Sequence, residues 1–205
     1  KDRKNNYIYS EGHSPKQKEY LLWKNNYLKF KLSEIKLINY GIYSRINKTN
    51  KIFKYYRELF YPNDKKIVTR DILDKLDSLG LAVWFMDDGC YNYSDNTISI
   101  STHGFGFENN EIIQKYFEDK WNISCKIRKS FFERYKIYYF IKLNVENTQK
   151  FIELIRYYVL EIPTMHYKIG LDNERKQKIL SKRKITRGYY YQKNKEKLKQ
   201  QHKIY

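Results

Sequence analysis

The segment from Leu76 to Gly89 constrains this chain more than any other. Between Leu79 and Met86 only Gly80 and Ala82 are small, and the apolar run ends abruptly at Asp87, Asp88 and Gly89. Asp77 is a natural N-cap, its carboxylate able to accept orphan N–H groups at a helix start. A helix that is apolar on every side has to be buried. Ser78 and Ala82 stand four apart on one face, small enough to admit a second backbone. Carboxylates at the C-terminal end of a helix work against its dipole, and a divalent cation is the natural compensating charge.

Leu81-Ala82-Val83-Trp84-Phe85-Met86-Asp87-Asp88-Gly89 resembles the signature of the LAGLIDADG homing endonucleases, in the form of the second motif of the two-motif, single-chain branch. The resemblance implies an α+β fold of αββαββα half-domains whose antiparallel sheets bind DNA. It places Asp88 at the metal-binding position and implies a divalent cation, Mg²⁺ or Mn²⁺. Residues 1 to 75 resemble a first half-domain without its signature helix, which the family would place just before a strand at Tyr7. Residues 76 to 170 read as the second half-domain, and 171 to 205 as a basic tail. A chain cut away from its first motif is the favoured expectation; the partner acid would then lie upstream and the protein act as a monomer. A homodimer through Ser78 and Ala82 is the weaker solution.

The charge balance agrees. The 205 residues carry 41 Lys and Arg against 23 Asp and Glu, a net charge of +18 that points to a polyanionic partner. An AT-rich genome, which favours Lys, Asn, Ile and Tyr codons, explains part of the excess. Cys90 and Cys125 lack ligand-spaced companions, so two free thiols in a reducing compartment are expected, with no zinc site. No apolar run is long enough to span a membrane, and no signal peptide is visible. The expectation is a soluble intracellular protein, from an organelle or an AT-rich microbial or viral host.

Along the chain, Asn6 to Ser10 reads as a strand. Ser14-Pro15-Lys16-Gln17 reads as a helix start with an N-cap serine, proline at N1 and a capping-box Gln17. Tyr20, Trp23, Tyr27 and Phe30 then mark one core face. Ile38 to Tyr43 and Lys51 to Tyr55, flanking Asn47 to Asn50, read as a hairpin. Arg57 to Tyr61 reads as a short helical piece before the loop at Pro62 to Lys66. After Gly89 come strands at Tyr91 to Ser94 and Thr97 to Thr102, turning at Asp95-Asn96, and a helix over Glu108 to Asp119. Two alternating stretches, through Ile123, Cys125 and Ile127 and through Ile137 to Leu143, follow as strands. A helix over Thr148 to Val159 ends before Pro163. Residues 175 to 205 hold 12 cations and the single acid Glu196; a helical arm and a disordered segment both remain open.

The chemistry follows from phosphodiester hydrolysis, which needs an activated water and charge stabilisation. Asp88 supplies one hard oxygen ligand and the freed main-chain carbonyl of Asp87 another. The resemblance gives Lys168, within Ile162-Pro163-Thr164-Met165-His166-Tyr167-Lys168, and Lys66, with Lys65 as its competitor, electrostatic roles beside the phosphate. Thr97, Ser99, Ser101, Lys126, Arg128, Lys136 and Lys142 share the polar side of their strands and form the candidate DNA-binding face, since a β-ribbon fits the major groove. Any half-exposed sheet alternates in this way; the surplus of cations favours DNA. His103, His166 and Cys90 receive no role. The expected activity is site-specific, metal-dependent cleavage of double-stranded DNA by a free-standing or intron-encoded enzyme. The alternatives are an intron RNA maturase and a non-catalytic DNA-binding regulator on the same fold.

Overall fold

The computed structural model describes residues 7–27, 35–38, 41–45, 51–133 and 136–195. In chain order it forms β1 (Ser10–His13), α1 (Lys18–Tyr27), β2 (Lys36–Ile38), β3 (Gly41–Arg45) and α2 (Lys51–Phe60). There follow α3 (Arg70–Asp74), α4 (Ser78–Asp88), β4 (Gly89–Asn92), β5 (Thr97–Ile100) and α5 (Gly106–Trp121). The chain continues through β6 (Cys125–Glu133), β7 (Lys136–Leu143), α6 (Val145–Leu160), a 3₁₀ segment (Pro163–Ile169) and α7 (Asn173–Lys193). The run from α4 to α6 is αββαββα, an α+β arrangement with antiparallel sheets.

Asp77 caps α4 by accepting the Gly80 N–H at 2.8 Å. Leu81, Ala82, Phe85 and Met86 are fully buried, whereas Leu79, Val83 and Trp84 are only partly covered. The helix therefore buries one face completely and not its whole circumference. Phe85 meets Phe151 of α6 edge-on at 5.2 Å, and Trp84 stacks on Phe117 of α5 at 6.0 Å. On the strand side Ile98, Ile100, Ile141 and Leu143 close the core. Polar loops are tied down from within it: the Ile98 N–H donates to Thr148 Oγ1 at 3.1 Å and the Ser124 N–H to Asn147 Oδ1 at 2.8 Å. Ala82 is buried by its own chain, which removes it from any intermolecular face.

The two sheets share a topology. The first is ordered β1-β3-β2 and the second β4-β5-β7-β6, so βαββα in the first half repeats β5-α5-β6-β7-α6 in the second. β1 is accordingly the counterpart of β5. The signature helix expected before a strand at Tyr7 falls on residues outside the described ones.

Several local readings also change. The first strand lies at Ser10–His13, with residues 7–9 outside it. Gln17 does not close a capping box; its side chain donates to Tyr167 Oη at 3.1 Å, a tertiary contact that outcompetes the local one. Tyr27 is 45 % exposed, and Phe30 lies outside the described residues. Lys51 to Tyr55 is helix, not the second strand of a hairpin. Ile52, Phe53, Tyr56, Leu59 and Phe60 recur at three and four residues, and this helical spacing overrides the strand reading. β3 pairs instead with β2, register Ile38↔Gly41; the proposed tip at Asn47 to Asn50 lies outside the described residues. β4 starts at Gly89, and Asn92↔Thr97 is the last pair before a four-residue loop in which Asn96 takes φ 52°.

Candidate active site and nucleic-acid interface

Gly89 stands where α4 turns into β4. Its φ of −84° is ordinary, so conformational freedom is not why glycine is there. The reason is space: a Cβ would lie 2.1 Å from Phe85 Cδ2. The sharp turn leaves Asp88 at the mouth of the helix end, its carbonyl accepting the Ser101 N–H at 2.9 Å. Among the described residues, no hydrogen bond or ion pair is seen on the Asp88 carboxylate. Burial and the neighbouring Asp87 push its pKa up, while Lys66, Lys168 and His103 pull it back down.

Lys168 is 7 % exposed and donates to the Gly89 carbonyl at 2.6 Å. Burial holds its ammonium below the usual 10.5, although Cys90, Asp87 and Asp88 favour the charged form. Gly170, two residues on, has φ +80° and lies so close to Tyr91 that a Cβ would sit 2.6 Å from its ring. Lys66 lies over the Phe105 ring at 4.6 Å, and of the Lys65–Lys66 pair it is Lys66 that acts on Asp88. Asp88, Lys66 and Lys168 are thus brought together from three separate elements.

Asp87 points elsewhere. Tyr20 Oη donates to its Oδ1 at 2.9 Å and to the Val83 carbonyl at 3.2 Å, and Lys24 Nζ approaches Oδ1 at 3.2 Å. Lys24 also pairs with Glu11 at 2.5 Å, making a Glu11–Lys24–Asp87 relay that ties β1 and α1 to the end of α4. Burial alone would raise the Glu11 carboxyl, but hydrogen bonds from His13, Lys24 and Tyr9 and the charge of Lys24 hold it below its usual value. A cleft of about 730 Å³ opens here, lined by residues that include Glu11, His13, Lys24, Asp87 and Asp88. Sequence reasoning missed Glu11, Tyr20 and Lys24, and also His103. The first three carry no local motif and become neighbours of Asp87 only when the halves pack.

The second sheet carries the candidate DNA face. Ser99 pairs with Lys142, Lys142 with Lys126, and Arg128 with Phe140, so Ser99, Lys126, Arg128 and Lys142 form one patch. Thr97, Lys126, Arg128 and Lys142 line a groove of about 220 Å³. The patch is less uniform than the sequence suggests. Thr97 is 6 % exposed, its hydroxyl donating to Asp95, and the same Asp95 pairs with Lys142 at 3.2 Å. Tyr138 and Phe140 each pack against the His103 ring, edge-on and tilted, with centroids at 5.8 and 5.9 Å; Phe140, opposite Arg128, adds aromatic surface beside the cations. Ser101 is exposed beside Asp88. The Lys136 backbone lies in β7; its side chain is outside the described residues. His166 bonds the Leu160 carbonyl at 3.2 Å, a structural role.

A model of the LAGLIDADG DNA endonuclease family matches residues 1–151. This chain belongs to that family. It is a homing endonuclease, an enzyme that hydrolyses DNA phosphodiesters. Among similar proteins, the intron-encoded endonuclease ai4 of Dictyostelium discoideum is 30 % identical over 131 residues, covering 63 % of this chain and 77 % of the relative. A probable intron-encoded DNA endonuclease 3 of Mycosarcoma maydis is 28 % identical over 126 residues, 59 % of this chain and 88 % of the relative. The cytochrome b mRNA maturase bI2 of Debaryomyces hansenii is 26 % identical over 119 residues, 58 % of this chain and 42 % of the relative. Among solved structures, the fold resembles that of the homing endonuclease I-WcaI bound to its DNA recognition sequence. The TM-score is 0.63 and the identity 23 %, covering 84 % of this chain and 80 % of that one. No helix among the described residues is long and apolar enough to cross a membrane.

Proposed function

We propose that this endonuclease cuts double-stranded DNA at a defined site, with Asp88 and the Asp87 carbonyl holding a divalent cation and with Lys168 and Lys66 stabilising the reacting phosphate. The observation that carries the reading is the convergence, at the end of α4, of two lysines and a carboxylate with no hydrogen bond or ion pair among the described residues. The donor set fits a hard cation: one carboxylate and one carbonyl, with room in the cleft for phosphate and water. Among the described residues no group of three His, Cys, Asp or Glu is arranged to hold a metal. The Asp88 end would therefore supply part of a coordination sphere. When bound, Mg²⁺ or Mn²⁺ would polarise the scissile phosphate and make water a stronger nucleophile.

The chain's own residues then do the following. Lys168, fixed by the Gly89 carbonyl, holds positive charge at a defined place beside Asp88, where negative charge grows as water attacks phosphorus. Lys66 adds a second positive charge from the loop before α3. Ser99, Ser101, Lys126, Arg128 and Lys142 would seat the duplex, cations on phosphates and hydroxyls on base edges. The relatives named as intron-encoded support an intron-borne gene.

The test is cleavage of a randomised duplex library in Mg²⁺ by the intact reading frame, wild type beside Asp88→Asn. Discrete cut sites that vanish in the substituted protein, with duplex binding retained, support the reading. Intact duplex in both lanes together with selective binding of intron RNA would favour the maturase reading, which the cytochrome b maturase among the relatives keeps in view.

A further inference from the structure

Helix α7 lies outside the site just described and has no core to explain it. It runs 21 residues, with eight cations against one acid, Glu174 in its first turn, and none of its described residues is buried. Ile179 and Leu180 are only half-buried and Ile185, Tyr189 and Tyr190 are exposed, so apolar burial explains little of its position, yet two polar contacts hold it. Arg175 stacks on the Tyr167 ring at 4.6 Å, next to Lys168, and Arg183 donates to the Ser94 carbonyl at 2.9 Å. Ser94 lies in the loop between β4 and β5. Since β4 starts beside Asp88, that loop is at the far end of the hairpin, about 10 Å away along the strand. From Arg183 to Lys193 the helix adds about 15 Å, bearing Lys184, Arg187 and the exposed Tyr189 and Tyr190.

A groove of about 540 Å³ lies along this part of the helix, lined by Leu180, Arg183, Lys184, Arg187 and Gly188. Among the described residues no carboxylate lines it. Gly188 has nothing within 4 Å of where a Cβ would stand, so no close packing demands it; its bare backbone leaves the groove open. A concave strip of cations with no counter-charge among the described residues is complementary to a row of phosphates.

We propose that α7 is a second, sequence-independent contact to duplex DNA, gripping the phosphate backbone of the flank beyond the β4–β5 hairpin. It rests on the reading of the second sheet as the DNA-seating surface and extends the footprint of that sheet. Because the grip is on phosphates, it adds affinity and salt dependence without adding base preference.

The experiment compares wild type with a Lys182→Gln/Lys184→Gln/Arg187→Gln variant, leaving Arg183 in place to hold the helix. Binding is titrated against salt on two duplexes: the cut site alone, and the site with about one further helical turn on each side. The expected result is that wild type prefers the longer duplex, and that the variant loses this preference. Its log K against log salt slope on the longer duplex should be shallower by up to about 2.7, at roughly 0.9 per lost phosphate contact. Hydroxyl-radical protection of one flank should disappear while the cut position stays the same. An Arg187→Lys variant should keep the slope. A triple variant with the wild-type slope and footprint overturns the inference and leaves the endonuclease reading standing. So does a loss of affinity confined to structured RNA, which would make α7 an RNA arm. Wild type that protects no duplex at all would sink both readings.

Discussion

Glu11, Lys24 and Asp87 show how single side chains join two parts of the chain. The Glu11 carboxyl is held below its usual value of 4.5, so its contribution to stability is complete above that value and is lost as pH falls through the lower folded value. The stability advantage of wild type over Glu11→Gln should therefore shrink as pH falls below that value; a difference that stays constant with pH in a chemical-denaturation series would contradict this. Lys24→Met should cost more, because it leaves Glu11 buried without its cation, about 3–5 kcal/mol for a broken buried pair, measured by urea unfolding. The two cysteines separate just as plainly. Cys90 is exposed, whereas burial pushes the Cys125 thiol up to about 12. A thiol reagent at neutral pH should label one site at once and the second only on unfolding. None of these pairings is written in local sequence, for Glu11 and Asp87 are 76 positions apart and neither sits in a pattern that names the other. Asp88 and Lys168 were legible because each ends a recognisable run.

At the scale of elements, the segment Pro163–Ile169 is held by Tyr91 of β4, which packs where Gly170 has no side chain. Gly170→Ala has to accommodate both φ +80° and a 2.6 Å approach to that ring. It should lower stability by about 1–3 kcal/mol and, by shifting Lys168, reduce cleavage more than binding, read as a fall in single-turnover rate at unchanged Kd. The amphipathic helices α5 and α6 were readable because their apolar residues recur over four turns. The strand assigned to Lys51 to Tyr55 was not, because five residues are too short to show the helical spacing that continues to Phe60. The Thr97 to Ser101 strand was read correctly in phase, with Ile98 and Ile100 inward; that Thr97 would be covered by Asp95 depends on the shape of the loop between β4 and β5.

For the whole molecule, a net charge of +18 predicts binding dominated by phosphate contacts. Non-specific duplex affinity should fall by about 10³–10⁵ between 50 and 200 mM salt if six to ten phosphates are engaged, and a flat response would rule that out. The repeated βαββα order shows the chain built twice on one plan, with α4 belonging to the second copy and reaching the first through Tyr20 and Lys24. The sequence by itself determined the apolar helix with its terminal acids, the alternation of the second sheet, the lysine after the last core helix and the basic tail. These are all set by short-range periodicity and residue chemistry. Only the tertiary structure decided that Asp87 faces the first half while Asp88 is left without a partner among the described residues, that Lys168 is locked to the Gly89 carbonyl, and that residues 173–193 of the tail form a helix pinned to Ser94. Those outcomes depend on which surfaces meet when distant segments compete to bury apolar area and to satisfy buried polar groups, and one-dimensional spacing does not encode that competition.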